Sequence, residues 1–160
     1  MNQFQRLALT SLTIVVCLAG TADAVTYYVG RRGDNNRDKV TAQNRSTPWK
    51  TIQHALDSIR YGDEVIVLNG LYREDLRFNR SGAKGFPITL RAENKQKARV
   101  IGSIAGYDVR YITVDGFDVT NPSRTVLTKG ISFDRCHHIV VRNNRVRFCA
   151  GGGIALDQCD

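Results

Sequence analysis

The apolar positions of this chain change rhythm along its length. Leu7 to Leu18 form a mostly apolar run behind Arg6, interrupted by Thr10, Ser11 and Thr13. Thr26-Tyr27-Tyr28-Val29 has the composition of a short strand, and the polar stretch 31–45 shows no period and is expected to be a loop. Ser46, Thr47 and Pro48 then suit a helix start. Beyond them Ile52, Ala55, Leu56 and Ile59 stand at i, i+3, i+4 and i+7, one apolar stripe on a helix. From Gly62 onward the pattern becomes short alternating β-rich runs broken by Gly and Asn.

These runs recur. Val65-Ile66-Val67-Leu68 is followed 23 residues later by Ile88-Thr89-Leu90-Arg91, then after 24 by Ile112-Thr113-Val114-Asp115, then after 27 by Ile139-Val140-Val141-Arg142. A second series runs alongside, with Gly130-Ile131-Ser132-Phe133-Asp134-Arg135-Cys136 returning 23 residues later as Gly153-Ile154-Ala155-Leu156-Asp157-Gln158-Cys159. Strands and turns recurring together at this period predict a stacked solenoid. One rung cannot bury its own inward face, whereas rungs about 4.8 Å apart pair their backbones and stack like on like. The Leu-x-x-Leu-x-Leu frame of a leucine-rich repeat is absent, and a sandwich would turn more often. The fold class is therefore all-β, a right-handed parallel β-helix with an N-terminal amphipathic capping helix. The apolar stripe covers the open edge of the first rung. The other end carries no comparable cap before Asp160, so further rungs are expected beyond it.

The apolar run Leu7–Leu18 is short for a membrane span, and Ala22-Asp23-Ala24 supplies small residues for cleavage. Residues 1–24 are thus expected to be a signal peptide, 25–61 the first strand, loop and capping helix, and 62–160 the rungs. This places the mature protein outside the cytoplasm, secreted or periplasmic, with no membrane attachment after cleavage. The net charge of +8 survives cleavage, because Arg6 and Asp23 leave together. On an exported protein that charge suits an acidic polymer, though it also serves plain solubility. Export and the lack of any nucleic-acid motif argue against nucleic acid. Of the four cysteines, Cys17 leaves with the leader, so Cys136, Cys149 and Cys159 remain as an odd set with no zinc spacing.

Tyr27-Tyr28-Val29-Gly30, Thr47-Pro48-Trp49-Lys50-Thr51-Ile52-Gln53-His54-Ala55, Gly62-Asp63-Glu64-Val65-Ile66-Val67, Gly70-Leu71-Tyr72-Arg73-Glu74 and Pro87-Ile88-Thr89-Leu90-Arg91-Ala92 together carry a resemblance. The chain resembles secreted right-handed β-helix proteins related to family 9 polysaccharide lyases, the pectate-lyase-like and chondroitinase-like group. That resemblance implies the fold more strongly than an activity, because the same cap precedes lyases, epimerases and hydrolases. It implies calcium held by aspartates of adjacent rungs and a lysine base on a later rung. Here the corresponding turn reads Gly151-Gly152-Gly153-Ile154 and lacks a carboxylate at Gly152, a departure that counts against calcium at this rung.

Asp134 and Asp157 nonetheless occupy equivalent places on successive rungs, with Asp160 just beyond, so these three are the candidate calcium ligands. The alternative is that they face solvent. Arg124, Lys129 and Arg147 are the candidate contacts to an acidic polysaccharide. Arg142 and Arg145 are instead expected to pair with Asp115 and Asp118 at the 27-residue offset. His137 and His138 are expected as turn residues, and Asn143 and Asn144 as a tight corner. Cys136 and Cys159 should lie one above the other, either bridged or as stacked thiols.

The expected function is a carbohydrate-active protein acting on uronate polysaccharide by β-elimination, its catalytic residues lying outside this chain. A non-catalytic polysaccharide-binding module and a glycoside hydrolase are the alternatives. N-terminal sequencing of the protein exported by its native source should read from Val25. A chain still starting at Met1 would remove the leader from this account.

Overall fold

The computed structural model describes residues 24–122 and 129–159; the expected signal peptide up to Asp23, Arg124 and Asp160 lie outside them. Thirteen strands and one α-helix are present among the described residues. After β1 (Thr26–Val29) and α1 (Ile52–Ser58), the chain runs through β2 (Glu64–Val67), β3 (Gly70–Tyr72), β4 (Leu76–Phe78), β5 (Ile88–Ala92), β6 (Ala98–Ile101) and β7 (Ile104–Tyr107). It continues through β8 (Arg110–Asp115), β9 (Asp118–Thr120), β10 (Ile131–Asp134), β11 (His137–Arg142), β12 (Arg145–Arg147) and β13 (Ile154–Asp157). Every third strand returns to the same sheet. Sheet A is ordered β1-β2-β5-β8-β11, sheet B β3-β6-β9-β12 and sheet C β4-β7-β10-β13, and all strand pairs are parallel. The result is the expected parallel β-helix.

The inward columns explain the alternation. In sheet A, Tyr27, Val65, Leu90, Val114 and Val141 stack in register. In sheet B, Tyr72, Val100, Val119 and Val146 do the same. In sheet C, Leu76, Ile104, Ile131 and Ile154 form one column, and Phe78, Gly106, Phe133 and Leu156 the next. Each buried rung is covered from both sides, so burial is nearly complete through the middle rungs. On β13 the inward positions Ile154 and Leu156 are half exposed.

The first repeat differs from the sequence expectation. Val65 pairs with Leu90, an offset of 25, where 23 was expected. A slip of two keeps every side chain on its own face, so alternation alone cannot detect it. The other expected registers hold: Ile88 with Ile112, Ile112 with Ile139, and Ile131 with Ile154.

The helix also starts later than Ser46, Thr47 and Pro48 suggest. Trp49 bridges to Val29, stacks on Tyr27 at 5.1 Å and donates its indole N–H to the Arg37 carbonyl at 2.8 Å. The helix therefore starts at Ile52, and its N-terminus is capped from a distance. The Glu74 carboxylate accepts from the Ile52 and Gln53 N–H groups at 3.2 and 3.0 Å. Ile52, Ala55, Leu56 and Ile59 are buried as the stripe required.

Corners between sheets repeat as faithfully as strands. Asp108, Arg135 and Gln158 leave sheet C with φ of 51°, 54° and 52°, one left-handed residue per rung. Asn143 takes φ 57° one rung above Gly116 at φ 84°. Asn144 closes that corner by accepting from the Phe117 N–H and donating to the Val114 carbonyl. Among the described residues every buried side-chain polar atom is hydrogen-bonded, and no helix is long and apolar enough to cross a membrane.

Gly106 offers a test of the stacking. Phe78 and Phe133, on either side of it, bring ring centroids to 5.9 Å, and a Cβ on Gly106 would meet the Phe133 ring at 2.6 Å. Gly106→Ala should cost about 1–3 kcal/mol in urea unfolding. Val140→Ala, on the outer face, should stay within about 0.5 kcal/mol. Equal losses would contradict the stacked core.

Candidate functional site

Sheet B carries the most concentrated charge. Alternation turns Leu71, Arg99, Asp118 and Arg145 outward in one row, in register across β3, β6, β9 and β12. Asp118 is only 1% exposed although it faces outward, because guanidinium groups close over it. Arg147 grips it with Nε at 3.2 Å and Nη2 at 2.8 Å, Arg145 donates through Nη2 at 3.2 Å, and Arg99 Nε stands 3.5 Å away. Burial pushes the Asp118 carboxyl upward, but hydrogen bonds from Arg147 and Arg145 and their charges outweigh it and leave its pKa below the ordinary value. The three arginine side chains remain 38–50% exposed. Arg99 and Arg145 form, with Lys97 and Asp118, the walls of a cleft of about 340 Å³.

A larger cleft of about 600 Å³ lies where the cap meets the corner between sheets A and B. Arg31, Arg32, Arg45 and Asn69 face it. Arg45 is held by Glu93 through two hydrogen bonds, whereas Arg31 and Arg32 form no ion pair among the described residues. Neither cleft was legible beforehand. Arg31 and Arg32 sat in a stretch without period, and Arg99 belongs to a four-residue strand whose partner, Asp118, is 19 positions away.

The residues singled out from sequence fall into three groups. The expected pairs form: Arg142 Nε lies 2.9 Å from Asp115, Asn143 joins the same carboxylate at 2.8 Å, and Arg145 meets Asp118. Arg147, expected to be freer for ligand, is bound to Asp118, because β12 places it beside Arg145 above the same carboxylate. Lys129 pairs with Asp157. Asp134 and Asp157 are in register, and Arg124 and Asp160 lie outside the described residues.

Of the candidate calcium ligands only Asp134 and Asp157 are described, since Asp160 lies outside the described residues. That ion takes six to eight oxygens, yet among the described residues no three His, Cys, Asp or Glu side chains converge. The Asp157 carboxylate is met by the Lys129 ammonium, and Gly152 has no side-chain carboxylate. Cys136, Cys149 and Cys159 are all free thiols. The Cys159 thiol donates to the Phe133 carbonyl from the rung above, and burial raises the pKa of Cys136. His138 stacks on Tyr111 at 4.5 Å, and both take left-handed φ at the entry to sheet A. Trp49 is buried in the cap, while Tyr61 and Tyr107 are about half exposed.

Asp118 generates a pH prediction. Its folded pKa is lowered, so the stability it contributes is full above the unfolded carboxylate value of about 3.9 and is lost as pH falls through the folded value. Asp118→Asn should lower unfolding stability by about 1–3 kcal/mol near neutrality. Its deficit relative to the parent should shrink toward about pH 2. A deficit unchanged with pH would show that the carboxylate charge is not what organises the three arginines.

Residues 46–146 match the sequence model of the chondroitinase B family. Uncharacterized protein YwoF of Bacillus subtilis (strain 168) is 27% identical over 135 residues, 75% of this chain and 28% of that protein. The GH136 lacto-N-biosidase from Eubacterium ramulus superposes with a TM-score of 0.67 at 18% identity, over 82% of this chain and 30% of its own. A rhamnogalacturonan lyase superposes with a TM-score of 0.52 at 18% identity, over 71% and 34%. These solved structures share the fold, and the chain spans about a third or less of each relative's length. One is a hydrolase and the other a lyase, so the scaffold alone does not set the reaction. The family match takes in the capping helix and the strands from β2 to the middle of β12, well over half of the sequence, and the chain belongs to the chondroitinase B family of β-helix proteins.

Proposed function

We propose that this chain is the capped end of an exported carbohydrate-active β-helix protein that acts on uronate-bearing polysaccharide by β-elimination. The observation that carries this reading is the family match over residues 46–146. The basic outer face, with a net charge of +8 over the chain, supports an acidic substrate.

In β-elimination the proton α to the uronate carboxylate is removed, the electron pair forms a C4–C5 double bond, and the glycosidic oxygen at C4 departs with a proton. The step needs cationic groups to hold the carboxylate while negative charge develops, and a base beside C5. Half-exposed arginines such as Arg99 and Arg145 suit the first requirement, since guanidinium forks match carboxylates. No side chain among those described is assigned as the base.

A second reading, a polysaccharide-binding module without catalysis, draws on the same clustered arginines. Incubating the whole exported protein, purified from its native source, with polygalacturonate, alginate and chondroitin sulfate separates the two. The lyase reading predicts ultraviolet-absorbing unsaturated uronides from at least one polymer. Retention on the polymer without such product would replace it with the binding module, and new reducing ends without that absorbance would indicate a hydrolase.

A further inference from the structure

The two basic clefts are one feature. Both are lined by Gly70, the first residue of β3, which stands where the cap corner passes into sheet B. A Cβ at Gly70 would meet Arg31 Cδ at 2.9 Å and Cγ at 3.1 Å, so the missing side chain is what lets the Arg31 stem lie against the start of β3. From there the cations follow the solenoid axis. Arg31 and Arg32 stand at the cap, Lys97 and Arg99 at β6, and Arg145 and Arg147 at β12.

Two carboxylates, Glu93 and Asp118, are bonded within this track, and each is covered by arginine. Seven cationic side chains, counting Arg45 on Glu93, therefore face two acids. Asp118 does more than neutralise. Its two oxygens take three N–H groups of Arg145 and Arg147, and each guanidinium carries five. The planes are thereby fixed while further donors remain on half-exposed groups. A fork already held in place loses little freedom when it meets an anion. Strands recur about every 4.8 Å, a step comparable to the length of one sugar residue, so Arg99 and Arg145 stand two steps apart on either side of Asp118.

We propose that this track, running from Arg31 through Arg99 to Arg145 along sheet B, is a binding site for an acidic polysaccharide whose chain lies parallel to the solenoid axis. The inference rests on the uronate-polysaccharide reading above and adds to it the face, the direction and the residues. Asp118 acts in it as a positioning residue.

Affinity electrophoresis of the purified protein through gels containing polygalacturonate or chondroitin sulfate tests this directly. The triple variant Arg31→Ala, Arg99→Ala, Arg145→Ala is compared with Arg60→Ala, Lys84→Ala, Arg110→Ala. The second set removes the same charge from exposed residues leading into sheet A, Arg60 from the capping helix and Lys84 and Arg110 from sheet C. The parent should be retarded, with retardation falling as salt rises. The track variant should bind at least about tenfold more weakly, and the charge-matched variant should remain close to the parent. Equal retardation of the parent and a folded track variant would overturn the track and leave the acidic-polysaccharide reading standing. No retardation of the parent in either polymer would overturn both. Because the three arginines are exposed or half exposed, thermal unfolding of the variants serves as the folding control, and Arg99→Lys with Arg145→Lys gives a second pair that keeps charge and loses the forks. That pair should bind between the parent and the triple variant; binding equal to the parent would show that charge alone suffices and would remove the positioning role of Asp118.

Discussion

Everything in this protein depends on one constraint: a rung of three short strands has an apolar inner face that only another rung can cover. A three-residue strand such as β3 or β9 has no independent stability. It persists because Tyr72, Val100, Val119 and Val146 stack in one column while the backbone pairs in parallel. The same constraint creates the need for a cap, met by Ile52, Ala55, Leu56 and Ile59 and by Trp49 packed on Tyr27. It also fixes what sits outside. Once inward residues are locked in columns, outward residues are locked too, and charges in adjacent rungs are held at strand spacing.

The outward columns use that enforced proximity in alternating sign. Arg91, Asp115 and Arg142 succeed one another on sheet A, and Arg99, Asp118 and Arg145 on sheet B. Like charges at this spacing would repel, so each acid sits between two bases. On sheet B the arrangement goes further, since one buried carboxylate holds Arg145 and Arg147 by hydrogen bonds with Arg99 close by. Structural pairing and ligand presentation are then not competing roles. A guanidinium can anchor one edge on Asp118 and offer the other to solvent.

How much of this was legible in the sequence follows from strand length and offset. The apolar alternation in 88–92, 112–115 and 139–142 and the recurrence of 130–136 as 153–159, with Gly, Ile, Asp and Cys at matching places, are enough for the fold and for most registers. The 27-residue offset gave the Asp115–Arg142 and Asp118–Arg145 pairs. Sheet B itself was hidden, because three or four residues carry too little alternation to stand out from a turn. Without it, Arg99 had no place beside Asp118, and Arg147 looked unattached. The first register was mis-set by two, a shift that leaves every face unchanged. The helix start was displaced because Pro48 and Thr47 resemble an N-terminus locally, whereas the actual cap, Glu74, comes from 22 residues downstream of Ile52.

The proposed polysaccharide track lies along the outward face of sheet B and is organised around Asp118. The most direct measurement is a nuclear magnetic resonance titration of the protein with oligogalacturonate, following backbone amides and arginine Nε–H groups. The account predicts shifts that saturate together at Arg31, Arg99, Arg145 and Arg147 and at the amides of β6, β9 and β12. Shifts confined to sheets A and C, with these groups unmoved, would contradict it.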